Sequence, residues 1–287
     1  MQYYNMTQHK LIIGNCISMK EIPDESVHLM VTSPPYFNAP FDYKGVFENY
    51  EQYLEILNKV AQEVFRVLKE GRIAVINIDD MLINGKKFPI VADATKIFQS
   101  AGFRYRDRII WKKPDGYLRI SRRSGVLLQN PYPMYFYPDN LLESILIFQK
   151  GKFDYRSIPN EVKETSKIDI TEFLNNKWYM SLWEITNVLP GSELEKEIAA
   201  FPDELPYRII KLFSYVGETV LDPFVGSGTT MKVARELGRN SIGIEIKKSL
   251  IPIIKKKLGF EGQLQLENRE DKLEIIIRED AKYGYIS

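Results

Sequence analysis

The chain has one cysteine and two histidines in 287 residues. A single thiol, Cys16, excludes an intrachain disulfide and any cysteine-rich zinc site. With only His9 and His28 a multi-histidine centre is not expected either, so no metal is assigned. No apolar run approaches the roughly 20 residues that cross a bilayer. The first residues, Met1-Gln2-Tyr3-Tyr4-Asn5, have neither a basic nor an apolar signal region, so secretion is not expected and a cytoplasmic location is. An excess of one charge sign is also missing. Lysine and arginine total 39 against 38 acidic residues, and global charge therefore gives no hint of nucleic acid. What remains is 44% hydrophobic and 27% charged, an ordinary globular composition, long enough for one large domain or one domain with an insertion.

The charge is uneven along the chain. Arg104, Arg106, Arg108, Lys112, Lys113, Arg119, Arg122 and Arg123 face only Asp107 and Asp115 over that interval, a local net charge of +6. Beside aromatic residues such a stripe suits a phosphate backbone, although a charge run is more often a solvated face. Apolar runs that read as buried strands recur at Leu11–Ile13, Val27–Val31, Ile73–Ile78, Arg108–Trp111, Ser144–Phe148, Thr219–Leu221 and Ser241–Ile244. Helical spacing marks Tyr50–Lys69, with Gly71 as its stop, and also Pro89–Ser100, Glu204–Phe213, Thr229–Leu237 and Lys248–Leu258. Strands alternating with helices predict an α/β fold, a mostly parallel sheet covered on both faces. "DKLEIIIRED" reads as an edge strand framed by charges. Residues 113–200 break the rhythm and read as an insertion carrying specificity, partly in the core near 144–148. On this division 1–112 and 201–287 are two parts of one domain.

Two loops carry the chemistry. The strand at Val27–Val31 leaves through "TSPPYF", where Pro34 and Pro35 fix φ twice and donate no N–H. Taken alone, that corner is as compatible with a tight surface loop as with a rigid holder of functional groups. The second loop is "DPFVGSGTT", residues 222 to 230: a strand end, a glycine turn and a helix start. It lacks the lysine of a phosphate-binding P-loop. The next strand ends on Glu245, 23 positions after Asp222, where an acid suits ribose hydroxyls. A nucleoside ligand without pyrophosphate follows, and S-adenosylmethionine fits.

With both loops in view, the chain resembles the β-group amino-methylating DNA methyltransferases of restriction–modification systems. Ser33-Pro34-Pro35-Tyr36 matches the catalytic loop, which comes first in that family, and the glycine loop matches the cofactor loop, which comes late. This order implies a Rossmann-like methyltransferase with circularly permuted motifs and an inserted target-recognition region. "FPDELP" matches a segment that puts Phe201 and Pro202 near the cofactor's methionine, and "LIIGNCISM" one near its adenine, with Asn15 where the family usually has Asp. Asp222, Pro223, Phe224, Gly226, Ser227, Gly228, Thr229, Thr230 and Glu245 complete the implied cofactor set.

The resemblance implies methyl transfer from S-adenosyl-L-methionine to the exocyclic amino group of a base flipped out of double-stranded DNA. Ser33 Oγ and the Pro34 carbonyl accept the amino hydrogens, and Tyr36 stacks on the base. A serine in the first position accompanies cytosine N4 methylation more often than adenine N6, which makes cytosine the favoured target and adenine the runner-up. Carbon methylation is not expected, because Cys16 reads as a small buried hydrophobe rather than a nucleophile. Lys112, Lys113, Arg119, Arg122 and Arg123 are the expected DNA contacts. A cognate restriction endonuclease is an expected partner, and the protein a monomer or homodimer. The rivals are a non-catalytic DNA-binding regulator on the same scaffold, against which the intact loops argue, and an RNA or protein amino methyltransferase, whose loops run in the opposite order.

Overall fold

Tyr53, Leu57, Val60 and Val64 fall on one face of an 18-residue helix, α1 (Tyr50–Val67), whose first turn is capped by the Asn49 side chain accepting from Gln52 N–H. A computed structural model of the chain describes residues 6–37, 47–114, 125–186, 201–261 and 271–282. Ahead of α1 lie β1 (Gln8–Ile13) and β2 (Val27–Thr32). After it come β3 (Leu68–Ile78), a hairpin of β4 (Met81–Ile83) and β5 (Lys86–Phe88), α2 (Ile90–Ser100) and β6 (Arg104–Lys112). Then follow α3 (Gly125–Gln129), β7 (Leu142–Gln149), α4 (Asn160–Thr165), α5 (Ile170–Asn175) and β8 (Leu182–Glu184). The last part holds α6 (Glu204–Phe213), β9 (Thr219–Asp222), α7 (Thr229–Glu236), β10 (Asn240–Glu245), α8 (Ile251–Lys257) and β11 (Lys272–Ile277).

Nine strands form one sheet in the order β11-β1-β10-β9-β2-β3-β7-β6-β8. All neighbours pair in parallel except around β7, which is antiparallel to both β3 and β6. On one face α1 and α2 cover Ile12, Met30, Ala74, Ile76, Phe148, Leu221 and Ile244. On the other, α6 and α7 cover Leu29, Val31, Val75, Ile145 and Val220, and α8 covers Leu11 and Ile13. Helices on both faces explain why the central strands are apolar at nearly every position. The seven expected strands all occur, and β11 is the charged edge strand.

One expected boundary is different. Gly71 does not stop α1. The helix ends at Val67 and Leu68 enters β3 directly. The buried Lys150 donates its ammonium to the carbonyls of Phe65 and Leu68, at 2.9 and 2.8 Å, so a cation from a distant strand satisfies the helix end. The expected helix at Lys248–Leu258 is likewise a single 3₁₀ turn, Lys248–Leu250, followed by α8. No helix among the described residues is long and apolar enough to cross a membrane.

Candidate active site

The C-terminal ends of the parallel strands meet along one edge of the sheet, where open α/β sheets form their ligand crevice. β9 ends there on Asp222 and turns through Pro223 and Phe224 into the glycine loop. Gly226 and Gly228 hold φ of 52° and 91°, conformations that glycine adopts without a Cβ penalty. Gly228 caps α7, with Thr229 and Thr230 buried in the first turn and Ser227 buried beside them.

Glu245 closes β10 at the same edge and is 7% exposed. Its Oε2 accepts from Gly226 N–H at 3.0 Å and its Oε1 from Lys247 N–H at 2.8 Å. A carboxylate has about four acceptor positions, so two backbone donors leave room for about two more. Two neighbouring ribose hydroxyls match that remaining capacity, and the donor set fits a nucleoside. Burial pushes Glu245 up to about 7, against the opposing pull of the two backbone donors. β1 exits beside it: Gly14 N–H donates to the Glu245 carbonyl at 2.9 Å. Asn15 follows, buried, its Oδ1 accepting from Ile17 N–H at 3.1 Å. Arg278, just beyond β11, holds this exit loop by donating to the carbonyls of Asn15 and Ser18, at 2.9 and 2.8 Å, and to Glu21.

Phe201 and Pro202 lead into α6. Phe201 packs against the core under that helix, and Asp203 forms an ion pair with Lys232 of α7, which fastens the segment to the helix that follows the glycine loop.

Asp222 is buried and already engaged. Oδ1 accepts from Thr32 Oγ1 at 2.6 Å and from Phe224 N–H at 3.1 Å, and Oδ2 accepts from Thr230 Oγ1 at 2.6 Å. These donors are neutral, and burial pushes Asp222 up to about 6. Because Thr32 directly precedes Ser33, one carboxylate joins the strand that carries the Pro-Pro corner to the glycine loop.

At that corner Pro34 and Pro35 are buried, and Ser33 and Tyr36 are half-buried. The Tyr36 hydroxyl donates to Glu143 Oε2 at 2.8 Å. Glu143 is the second residue of β7, and because β7 runs against its neighbours the start of the strand reaches this edge. The same Oε2 accepts from Asn77 Nδ2 at 2.5 Å, and Oε1 pairs with Lys113. Burial, reinforced by the Glu143 charge, pushes the Tyr36 phenol well up. Asp79, beyond β3, accepts from Asn140 and is pushed up to about 6 by burial. Cys16 is buried, which pushes its thiol well up.

The edge therefore brings together Ser33, Pro34, Pro35, Tyr36, Asn15, Asp222, the glycine loop and Glu245. The basic residues are not gathered in this way. Lys113 is drawn into the Tyr36 network, and Lys112 lies 3.4 Å from Glu184. Arg104 bonds Gln149 and Arg106 sits over the Phe213 ring, both at the far end of β6. Arg119, Arg122 and Arg123 lie outside the described residues. Sequence reasoning missed Thr32, Asn77, Glu143 and Arg278. The signal for Glu143 was an acid opening the otherwise apolar run "ESILIF".

The family model described as DNA methylase, for N6/N4 methyltransferases, matches residues 27–256. The Type II methyltransferase M.MjaI of Methanocaldococcus jannaschii is 38% identical, over 89% of this chain and 92% of that protein. TTHA0409 of Thermus thermophilus, solved with S-adenosyl-L-methionine and described as a candidate DNA modification methylase, superposes with a TM-score of 0.72 at 29% identity, covering 94% of this chain and 98% of that one. The cytosine-N4-specific PvuII DNA methyltransferase shares the fold, with a TM-score of 0.64 at 20% identity over 90% of this chain and 95% of that one. The chain thus belongs to the N6/N4 DNA methylase family, with a Rossmann-like methyltransferase fold and S-adenosyl-L-methionine as its cofactor.

Proposed function

We propose that the protein methylates the exocyclic amino group of a base flipped out of double-stranded DNA, and that the base is cytosine, modified at N4. The observation that carries this reading is the link from Thr32 to Asp222, which sets the Ser33-Pro34 acceptors beside the cofactor loop. An exocyclic amino nitrogen is a weak nucleophile because its lone pair is delocalised into the ring. Ser33 Oγ and the Pro34 carbonyl accept its two hydrogens and draw it toward tetrahedral geometry. The rigid corner holds both acceptors in place before the base arrives, which is electrostatic preorganisation. Tyr36 stacks on the flipped base, and stacking worth about 1–3 kcal/mol offsets much of the cost of extrusion.

Glu245 holds the ribose, Asn15 lies at the adenine, and Phe201, Pro202 and Asp222 border the methionine end. Pro223, Phe224, Gly226, Ser227, Gly228, Thr229 and Thr230 form the surrounding wall. The bound cofactor supplies an electrophilic methyl group on a sulfonium sulfur. Residues 113–200 act as the target-recognition region between the two parts of the catalytic domain, 1–112 and 201–287. Lys112 and the arginines at 119, 122 and 123 meet backbone phosphate. The names of the relatives support a restriction–modification setting, with a cognate endonuclease as partner and a cytoplasmic location.

The choice of cytosine rests on Ser33 in the first position of the catalytic loop. Incubation with cofactor and genomic DNA, followed by nucleoside mass spectrometry, tests it. N4-methylcytosine is the expected product. N6-methyladenine would overturn the choice of base and keep the amino chemistry, and unmodified DNA would overturn both.

A further inference from the structure

We propose that Lys257 of α8 is a positioning residue of the cofactor site. Its ammonium holds the Ser227 and Thr229 hydroxyls so that they favour an anion, the carboxylate at the methionine end of the cofactor. The inference rests on the reading of the glycine loop as a wall of that site, and adds to it a residue from a separate helix.

Three lysines in a row close α8: Lys255, Lys256 and Lys257. Lys256 is exposed, whereas Lys257 is half-buried and turned onto the glycine loop. Its Nζ lies 2.7 Å from Ser227 Oγ and 3.0 Å from Thr229 Oγ1. An ammonium only donates, so both hydroxyl oxygens accept from it. Each hydroxyl keeps one hydrogen of its own. The two oxygens are 3.4 Å apart, so at most one hydrogen is spent between them. At least one is left for another acceptor, and the bond from the cation polarises it as a donor.

The charges around the loop are complementary to an amino acid. Gly228 begins α7 without a side-chain cap, and the first-turn N–H groups of a helix favour an anion. Asp222, where β9 enters the loop, is a buried carboxylate and favours an ammonium. The methionine end of the cofactor carries both groups. The loop thus has a partner of opposite charge for each, Asp222 within the chain of the loop and Lys257 reaching in from α8.

The lysine is not needed to hold α8 in place. Ile254 and Leu258 pack in one buried cluster with Val225 and Met231. The contact is close enough that a Cβ at Gly228 would lie 3.2 Å from the side chains of both Ile254 and Leu258. Arg235 of α7 also donates to the Leu258 carbonyl. Removal of the ammonium leaves these contacts intact, so a role in binding is separable from a role in the fold.

Calorimetric titration with S-adenosylhomocysteine and with S-adenosyl-3-thiopropylamine makes that separation, since the second lacks the carboxylate and keeps the ammonium. Wild-type protein should prefer the first. Lys257→Met keeps an apolar stem. It should weaken S-adenosylhomocysteine by about 3- to 30-fold, the scale of a partly buried charge at a helix N-terminus, and leave the second ligand unchanged. Ser227→Ala with Thr229→Val should show the same selective loss. Adding Lys257→Met to that pair should cost little more, because the lysine acts through those hydroxyls. Equal losses for both ligands, as a misplaced loop would give, would overturn the proposal. So would no loss for either ligand, or a further full loss in the triple variant. If Lys257→Met fails to fold, Lys257→Gln, which keeps a donor and removes the charge, carries the same comparison. Unchanged affinity in the Ser227→Ala/Thr229→Val variant would instead remove those residues from the cofactor wall, the reading on which the proposal rests.

Discussion

Two carboxylate clusters share the functional edge, and they are held in opposite ways. Asp222 and Glu245 are bound by neutral donors: threonine hydroxyls and backbone N–H groups. Glu143 is bound by a hydroxyl, an amide and the Lys113 ammonium. Without a cation in direct contact, desolvation dominates, and the first pair is pushed up to about 6 and about 7. Such carboxylates gain from further donors, and Glu245 keeps acceptor capacity for a ligand. A carboxylate closed by a lysine serves its neighbours instead. On the proposed reading, Asp222 and Glu245 receive the cofactor and Glu143 braces the base side.

The largest effect that would test this division is on turnover. Ser33→Ala should lower methyl transfer by about 10²–10³-fold, the usual cost of one preorganised polar partner, with cofactor affinity unchanged by calorimetry. A parallel loss of affinity would erase the boundary between the two sides.

Next is the cofactor side. Glu245→Ala should weaken S-adenosylmethionine binding by about 10- to 100-fold, as charged hydrogen bonds of about 1.5–3 kcal/mol are lost. The sign of the pH dependence follows from its raised pKa. Ligand hydroxyls favour the ionised carboxylate, so wild-type affinity should rise between pH 6 and 8, by up to about tenfold per unit below the pKa, and Glu245→Gln should be flat. Stability of the free protein runs the other way. The contribution of this group is fully present below its ordinary value of 4.5 and is lost as pH rises through about 7. Calorimetric titration and thermal melts across this range check both signs.

Asp222→Ala should act on the fold as well as on the cofactor. Buried donors left unmatched cost about 1–3 kcal/mol each, and at this chain length each kcal/mol lowers the melting temperature by about 2–4 °C. An unchanged melt would mean that Thr32 and Thr230 find other partners.

The smallest effect separates the two lysines. Loss of one phosphate contact lowers the slope of log K against log salt by about 0.9. Lys112→Ala, and the pair Arg122→Ala with Arg123→Ala, should show that loss. Lys113→Ala should leave the slope in place and slow methyl transfer, because its partner is Glu143. DNA affinity measured over a salt series reads the difference.

These contrasts also mark how far the sequence could be read. The strands were visible because two covered faces force apolar runs, and the two loops because proline and glycine restrict backbone geometry in ways their spacing records. Glu143 was hidden because its place depends on the direction of β7, which an apolar run does not encode. The +6 stripe looked like one patch because sequence proximity was taken for spatial proximity. β6 has nine residues, so Arg104 and Lys112 are eight steps of about 3.3 Å, or about 26 Å, apart at opposite edges of the sheet. Gly71 was misread for a related reason, since the group that ends α1 is Lys150, more than 80 residues away.

The bond from Thr32 to Asp222 spans 190 residues of chain. During synthesis at roughly 5–20 residues per second, about 10–40 s pass between the appearance of its two ends. Throughout that interval β2 lacks β9, one of its two partners in the sheet, and an unpaired strand edge invites association with other chains. The pairing is also among the most distant in the fold, and long-range parallel pairing forms slowly. The Pro-Pro corner is therefore joined to the glycine loop late, after the preceding chain has had to persist with an open sheet, and the edge is complete only when β9 arrives.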